Sequence, residues 1–190
     1  MRTHVALLRG INVVGRNKVS MAELRRVVES LDHSDVATYI QSGNVVFIAA
    51  KPDSNSAELA DDLETAIADR LGVRSAVVVL TRGELVQVVR DNPFVEEDDH
   101  RLLHAVFLRK APGANGVASV EAAVERARGK ESRDDVRVIG RTLYLWTPDG
   151  FARSTLRSEL DRSGAHRTPM RAGTARNWRT VNALASLLER

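Results

Sequence analysis

The sequence predicts an α+β fold made of two ferredoxin-like halves. Apolar runs and amphipathic stretches follow one another in the order β-α-β-β-α-β over the first half of the 190 residues, which is the order of the split βαβ arrangement. The second half repeats this order, and an extra helix follows the fourth strand of each half. The predicted halves are residues 1–94 and 102–190, and the polar segment 95–101 is a predicted linker.

In the first half, the helices are marked by their end signals. Ser20 and Glu23 form a capping box, in which each side chain accepts from the backbone N–H of the other residue, so a helix is expected to begin after Ser20. Thr81 and Glu84 repeat this pattern before the third helix, and Gly72 is expected to end the second. Apolar runs predict strands at residues 4–9, 38–41, 45–49 and 76–80, with a tight turn at 42–44.

In the second half, the same signals are weaker. Leu156 and Leu160 mark one helix before Gly164, and Asn177 is expected to cap the terminal helix. A further helix is predicted to end near Gly129. Strands are predicted at residues 103–108, 135–139, 142–146 and, on a weak pattern, 168–173.

The composition limits the class of protein. The chain has a net charge of +3 and no cysteine, which excludes disulfides, thiolate zinc sites and cysteine nucleophiles. It lacks the ~20-residue apolar stretch of a membrane span and, at its N-terminus, the apolar segment of a signal peptide. We therefore expect a cytoplasmic protein with no membrane partner.

The segment ALLRGINVVGRNKVSMAEL, which joins the first strand to the first helix, begins like a phosphate-binding P-loop. Gly10 and Gly15 have the spacing of that motif, but Arg16 and Asn17 stand where it requires Lys and then Ser or Thr. Lys18 comes two positions late, so the sequence predicts no P-loop hydrolase. A helix N-terminus beside basic side chains still favours an anion. The alternative is that the glycines and asparagines only shape the crossover.

Three segments in order, LLRGINVVGRNKVSMAELR, TYIQSGNVVF and TARNWRTVNALASL, resemble the signatures of the bacterial family called domain of unknown function 1697. The shorter segments DNPF and LHAVFL are similar too, so the resemblance covers essentially the whole chain. It implies an α+β fold with ferredoxin-like halves and no established activity. Val14 stands where the family usually has a glycine.

The resemblance also draws attention to polar residues that core packing does not require. These candidate ligand-binding residues are Asn12, Asn17, Lys18, Gln41, Ser42, Asn44, Arg176, Asn177 and Arg179. We predict that the loop after the first strand and the segment 176–179 contribute to one positively polarised site, which Gln41 and Asn44 reach from the hairpin. The alternative is that all nine form turns and caps.

Metal binding and stacking of nucleic-acid bases have less support in the sequence. His100 and His104 have metal-ligand spacing only on a helix, whereas His104 leads into a strand, so no metal is predicted. Tyr144 and Trp146 share one strand face and are the candidates for stacking a nucleic-acid base, unless they belong to the core. No catalytic residue, cofactor or oligomeric state is predicted.

Three functional classes stay open from the sequence. The first, which we favour, is a binding module for an anionic ligand, either a phosphate-bearing small molecule or a nucleic acid. The second is a cofactor-free enzyme with a polar cleft between the halves. The third is a protein-interaction module without a small-molecule site.

Overall fold

Strands and helices alternate along the chain in the computed structural model, which describes residues 1–13, 17–51, 53–162 and 169–190. The elements up to residue 90 are β1 (His4–Leu8), α1 (Met21–Glu29), β2 (Ser34–Tyr39), β3 (Asn44–Ile48), α2 (Ser56–Leu71), β4 (Val77–Thr81) and α3 (Arg82–Arg90). The later elements are β5 (Leu103–Phe107), α4 (Ala114–Arg128), β6 (Asp135–Ile139), β7 (Thr142–Trp146), a 3₁₀ turn (Phe151–Arg153), α5 (Thr155–Asp161), α6 (Pro169–Ala172), β8 (Thr174–Asn177) and α7 (Trp178–Glu189).

Tertiary contacts group the chain into two units. The first comprises residues Met1–Val89 and Asn182–Arg190, and the second comprises Arg90–Val181. The end of α7 therefore belongs with the first unit, where the guanidinium of Arg2 donates to the carbonyl of Leu187 over 2.9 Å. The domain boundaries expected from the sequence, with a linker at 95–101, stay a prediction.

The first unit is built on a four-stranded antiparallel sheet in the order β2-β3-β1-β4. All five residues of β1 are buried, which suits a strand with a neighbour on each side. Val5 pairs with Val46 of β3 and with Leu80 of β4. This strand order, with two connecting helices, is that of the predicted ferredoxin-like half. Apolar side chains of α1 and α2, among them Leu24 and Leu63, form a core with the sheet.

The helix ends lie where the sequence predicts them, but of the two predicted capping boxes only the second is reciprocal in the described residues. The hydroxyl of Ser20 accepts from the N–H of Glu23 at 3.5 Å. At the start of α3 the box is reciprocal: the N–H of Thr81 donates to the carboxylate of Glu84 at 2.8 Å, and the N–H of Glu84 donates to the Thr81 hydroxyl at 3.1 Å. Gly72 ends α2 in the left-handed conformation, with φ of 65°, where the missing Cβ removes the steric cost.

The second unit repeats the topology with a sheet in the order β6-β7-β5-β8. The hairpin strands β6 and β7 have the predicted bounds, and Gly140 in their turn has φ of 56°. Val106 and Leu143 of the sheet pack with Val120 of α4 and Leu156 of α5 in one apolar cluster. The prediction of an α+β fold with two ferredoxin-like halves is therefore confirmed.

The predicted last strand at 168–173 is wrong. Residues Pro169–Ala172 form α6, and the strand lies at Thr174–Asn177. Proline suits a first helical position because its missing N–H is not needed there. A Cβ on Gly173 would lie 2.6 Å from Val106, so the chain needs glycine to approach β5 closely. Thr168 and Gly164, which the sequence interpretation also used, lie outside the described residues.

A buried carboxylate links α4 to α5 in the second unit. Glu159 has a side chain only 2% exposed and accepts from Arg126 at 2.8 Å, Lys130 at 2.6 Å and Arg162 at 3.1 Å. The hydrogen bonds from Lys130 and Arg126 lower the pKa of Glu159 to about 2. The i,i+3 spacing of Glu159 and Arg162 is a sequence signal for one of these ion pairs. The pairs with Arg126 and Lys130 have none, because they join α5 to the end of α4.

In the first unit, the β2–β3 turn approaches β1 without room for a side chain. Gly43 has φ of 73°, and a Cβ built on it would lie 2.7 Å from Cβ of Leu8 and 2.9 Å from Cδ1 of Ile11. The N–H of Leu8 donates to the Gly43 carbonyl at 2.8 Å. The turn is therefore held directly against the end of β1.

We expect Gly43→Ala to destabilise the first unit by about 3 kcal/mol, because left-handed strain and overpacking add. Gly72→Ala is the matched control, since its φ of 65° is similar and nothing lies within 4 Å of its added Cβ. Gly72→Ala should lower the free energy of unfolding by about 1 kcal/mol. Urea unfolding followed by circular dichroism measures both, and equal losses would contradict the close approach.

Glu159→Gln should destabilise the second unit by about 1–2 kcal/mol, because three partly exposed cations lose their acceptor but remain hydrated. The folded-state pKa lies below the ordinary 4.5, so the carboxylate's contribution is complete above pH 4.5 and is lost as the pH falls through the folded pKa of about 2. The difference between parent and variant should therefore shrink on acidification.

Glu125→Gln is the control for this effect, because the ion pair of Glu125 with Arg128 is exposed on both sides. It should change stability by less than about 0.5 kcal/mol. Urea unfolding followed by tryptophan fluorescence reports on the second unit, which contains Trp146 and Trp178. A loss in Glu159→Gln that does not vary with pH would contradict the assignment.

Candidate functional site

The loop after β1 is fixed by the side chain of Asn12. This residue has φ of 54°, a conformation that asparagine tolerates better than most residues. Its amide nitrogen donates to the carbonyls of Val19 and Gln41, each at 2.9 Å, and its amide oxygen accepts from the N–H of Val19 at 2.9 Å. One side chain therefore joins the two ends of the loop and ties them to the β2–β3 turn.

Asn17 continues the same arrangement. Its φ is 49°, its amide nitrogen donates to the carbonyl of Gly10 at 3.1 Å, and its own carbonyl accepts from the N–H of Asn12 at 3.0 Å. Lys18 follows with an exposed side chain. Val14, Gly15 and Arg16, which the sequence interpretation also used, lie outside the described residues.

The β2–β3 turn reverses the direction of the chain within a few residues. β2 ends at Tyr39, short of the predicted residue 41, because Ile40 takes a φ of 48°. Such a conformation is a genuine outlier for a β-branched residue. Asn44 is fully buried and donates to the carbonyl of Tyr39 at 3.0 Å and to the hydroxyl of Ser42 at 2.9 Å. Gln41 is exposed at the tip.

These two segments enclose an open pocket of about 590 Å³ at the start of α1, which we call the α1 pocket. It is lined by Asn12, Lys18, Val19, Ser20, Glu23 and Gln41. Lys18 supplies positive charge, and the exposed Glu23 supplies negative charge. The pocket lies at the positive end of the α1 dipole, but the N–H of Glu23 already donates to the Ser20 hydroxyl. The sequence identified Ser20 and Glu23 only as capping residues. They line the pocket because they lie at the start of α1.

The third candidate segment lies in the second unit. Burial lowers the pKa of Arg176 to about 10, and its guanidinium donates to the Thr174 hydroxyl and the Ala175 carbonyl, each at 2.8 Å. Asn177 caps α7 by accepting from the N–H of Arg179 at 3.0 Å, as the sequence predicts. Arg179 is exposed. Because these residues and the α1 pocket belong to different units, one shared site stays a prediction.

The aromatic and histidine candidates are packed within the second unit. Tyr144 is 2% exposed and lies 6.0 Å from Trp178 between ring centroids, and Trp146 donates its indole N–H to Glu97 at 2.8 Å. His104 lies in β5, as predicted, with its ring 3.9 Å from that of Phe151. Burial lowers the pKa of His104 to about 4. Tyr144 therefore belongs to the core and offers no open stacking face.

Among the described residues, no group of three or more His, Asp or Glu side chains is placed to hold a metal ion. The helices described here include none with both the length and the apolar content needed to cross a membrane.

Comparison with known proteins places the chain in a family. The family model for a protein of unknown function, DUF1697, matches residues 1–144. The chain belongs to the DUF1697 family. Among solved structures, the conserved bacterial protein SP0830 from Streptococcus pneumoniae is similar over 98% of this chain and 98% of its own, with 25% identity and a TM-score of 0.73. No curated protein matches the sequence.

The polar residues that the DUF1697 resemblance draws attention to differ in how their side chains are used. Side-chain hydrogen bonds to the fold engage Asn12, Asn17, Ser42, Asn44, Arg176 and Asn177. Within the described residues, the side chains of Lys18, Gln41 and Arg179 have no hydrogen-bond partner, and all three residues are exposed. Folding therefore accounts for the first group and leaves the second available for a ligand.

Asn12→Gly tests how the pocket is held together, because glycine keeps the left-handed backbone and removes only the three side-chain hydrogen bonds. Hydrogen exchange at the Val19 amide should accelerate by about fivefold to tenfold, since one such bond contributes about 1–1.5 kcal/mol. The Leu24 amide, which donates to the carbonyl of Ser20, is the internal control. Unchanged exchange at Val19 would contradict the role of Asn12.

Proposed function

We propose that this DUF1697 protein is a binding module for a phosphate-bearing anion, which binds in the α1 pocket. The observation that carries the proposal is that the ammonium of Lys18, which has no hydrogen-bond partner among the described residues, and the amide of Gln41 line the same 590 Å³ pocket at the start of α1. Phosphate oxygens accept hydrogen bonds from ammonium and amide groups, and the positive end of the α1 dipole favours an anion. Asn12 holds the pocket in shape and does not donate to the ligand, because both N–H groups of its side-chain amide already donate to backbone carbonyls.

The charges at the α1 pocket set the strength and the sign of the expected effects. Lys18 and the helix dipole both favour an anion, and the dipole contributes about 0.3–1 kcal/mol. The carboxylate of Glu23 opposes an anion in the same pocket. Because Lys18 and Glu23 have opposite effects on an anion, removing either charge should change the affinity, and salt should weaken both effects.

The phosphate can belong to a small molecule or to a nucleic acid, and the packing favours the small molecule. Sequence-tolerant binding of a single strand relies on exposed aromatic side chains that stack with bases. Tyr144, one of the two aromatic candidates, is buried, and Trp146 is hydrogen-bonded to Glu97. Titration with pyrophosphate and, separately, with a single-stranded oligonucleotide distinguishes the two sources.

Calorimetric titration of the full chain with pyrophosphate at low salt tests the proposal. Lys18→Ala should weaken binding about fourfold, the effect of one charge at about 5 Å in water, and Glu23→Gln should strengthen it by a similar factor. The matched control is Lys110→Ala, which removes an exposed lysine of the second unit and should leave the affinity unchanged. Equal affinities in the parent, Lys18→Ala and Glu23→Gln proteins would overturn the proposal.

A further inference from the structure

His33 is held in the first unit by a hydrogen bond that only a neutral imidazole can make. The residue lies between α1 and β2 and is 7% exposed. Its Nδ1 accepts from the N–H of Ala50 at 3.1 Å, so the ring carries its single proton on Nε2. Ala50 lies just after β3. This one bond therefore joins the α1–β2 turn to the beginning of the β3–α2 loop.

The same position leaves the other ring nitrogen of His33 unsatisfied. Nε2 is buried and has no hydrogen-bond partner among the described residues, and a buried donor without an acceptor is destabilising. The ring stacks on Phe47 with centroids 4.7 Å apart, and His4 of β1 stacks on the same phenyl ring at 5.8 Å. Packing therefore holds the ring in place, whereas hydrogen bonding of Nε2 favours a position where it has an acceptor.

Such acceptors lie in the pocket beside the ring. His33 lines an open pocket of about 480 Å³ together with Asp32 of the α1–β2 turn and Asp62 of α2. Both aspartates are exposed, and within the described residues neither carboxylate forms an ion pair or accepts a side-chain hydrogen bond. The other charged residues of the described lining are Lys51, Asp53 and Glu58. An imidazolium that enters this pocket therefore meets an excess of negative charge.

Burial and the neighbouring carboxylates have opposite effects on the protonation of His33. Burial lowers the pKa of His33 from its ordinary value of 6.5, while the charges of Asp62 and Asp32 raise it. Burial also lowers the pKa of His4, which faces the ring from β1, against the charge of Glu84. Because the folded pKa of His33 lies below 6.5, its contribution to stability is complete above pH 6.5 and is lost as the pH falls towards the folded pKa.

We propose that His33 is a pH switch for the β3–α2 loop. Protonation from solvent adds a proton to Nδ1, which removes the lone pair that accepts from Ala50 and so breaks that hydrogen bond. The imidazolium turns away from Phe47 into the pocket, where its N–H groups donate to the carboxylates of Asp32 and Asp62. Acid thereby releases the beginning of the loop from the α1–β2 turn. The switch needs no ligand, so it does not depend on the anion proposal.

Amide hydrogen exchange of the full chain, followed by NMR as a function of pH, tests the switch. As the pH falls from about 7.5 to about 4.5, where carboxylates stay largely ionised, the protection of the Ala50 amide should fall relative to that of Leu24. The expected decrease is about fivefold to tenfold, the effect of losing one hydrogen bond. Leu24 is the internal control, because its amide donates to the carbonyl of Ser20, which does not titrate. The midpoint should coincide with the titration of the His33 ring.

Three variants separate the parts of the switch. Asp62→Asn should lower the midpoint by at least about half a pH unit, because the Asp62 carboxylate stabilises the imidazolium. Asp69→Asn is the matched control, since Asp69 is exposed on the same helix but outside the pocket lining, and it should leave the midpoint unchanged. His33→Asn keeps a side-chain oxygen as an acceptor but removes the titrating group, so the protection of Ala50 should no longer vary with pH.

Three results would overturn the proposal. The first is a constant ratio of protection between Ala50 and Leu24 while the His33 ring titrates, which would show that the bond survives protonation. The second is an equal shift of the midpoint in Asp62→Asn and Asp69→Asn, which would show that the ring responds to the overall charge of α2 without entering the pocket. The third is an unchanged pH dependence in His33→Asn, which would assign the effect to another titrating group.

Discussion

The first unit depends on one close approach, that of the β2–β3 turn to the end of β1. The atoms that a Cβ of Gly43 would meet belong to Leu8 and Ile11, which are both buried. With the turn held there, the carbonyl of Gln41 comes within 2.9 Å of the Asn12 amide. The α1 pocket exists because two segments 29 residues apart in sequence are brought together at this contact.

The close contact between the β2–β3 turn and the end of β1 explains why so many residues nearby have positive φ. Gly10, Asn12, Ile40 and Gly43 all do, and a chain that must reverse twice in a small volume needs such residues. For Ile40 no local preference explains the conformation, and a β-branched residue there costs about 1–2 kcal/mol. The hydrogen bonds of Asn12 and the packing of Gly43 fix the conformation of the turn, and they hold Ile40 at its positive φ despite the energetic cost.

Local chemistry was readable from the sequence, whereas long-range contacts were not. The capping pair Thr81 and Glu84 is formed by neighbours, and the hairpin around Gly140 is fixed by its turn, so both were predicted correctly. The last strand was predicted at the wrong position because the role of Gly173 depends on contact with β5. For the same reason the ion pairs of Glu159 with Arg126 and Lys130 have no linear signature: they join α5 to the end of α4, which only the fold brings together.

The pocket lined by Asp32 and His33 and the α1 pocket lie at opposite ends of the β2–β3 hairpin. The pair Tyr39 and Asn44 is at the α1-pocket end, and the pair Ser34 and Ile48 is at the other. Six residues of β2 at ~3.3 Å each span about 17–20 Å, twice the Debye length of about 8–10 Å at physiological salt. The positive charge at one end is therefore screened from the negative charge at the other.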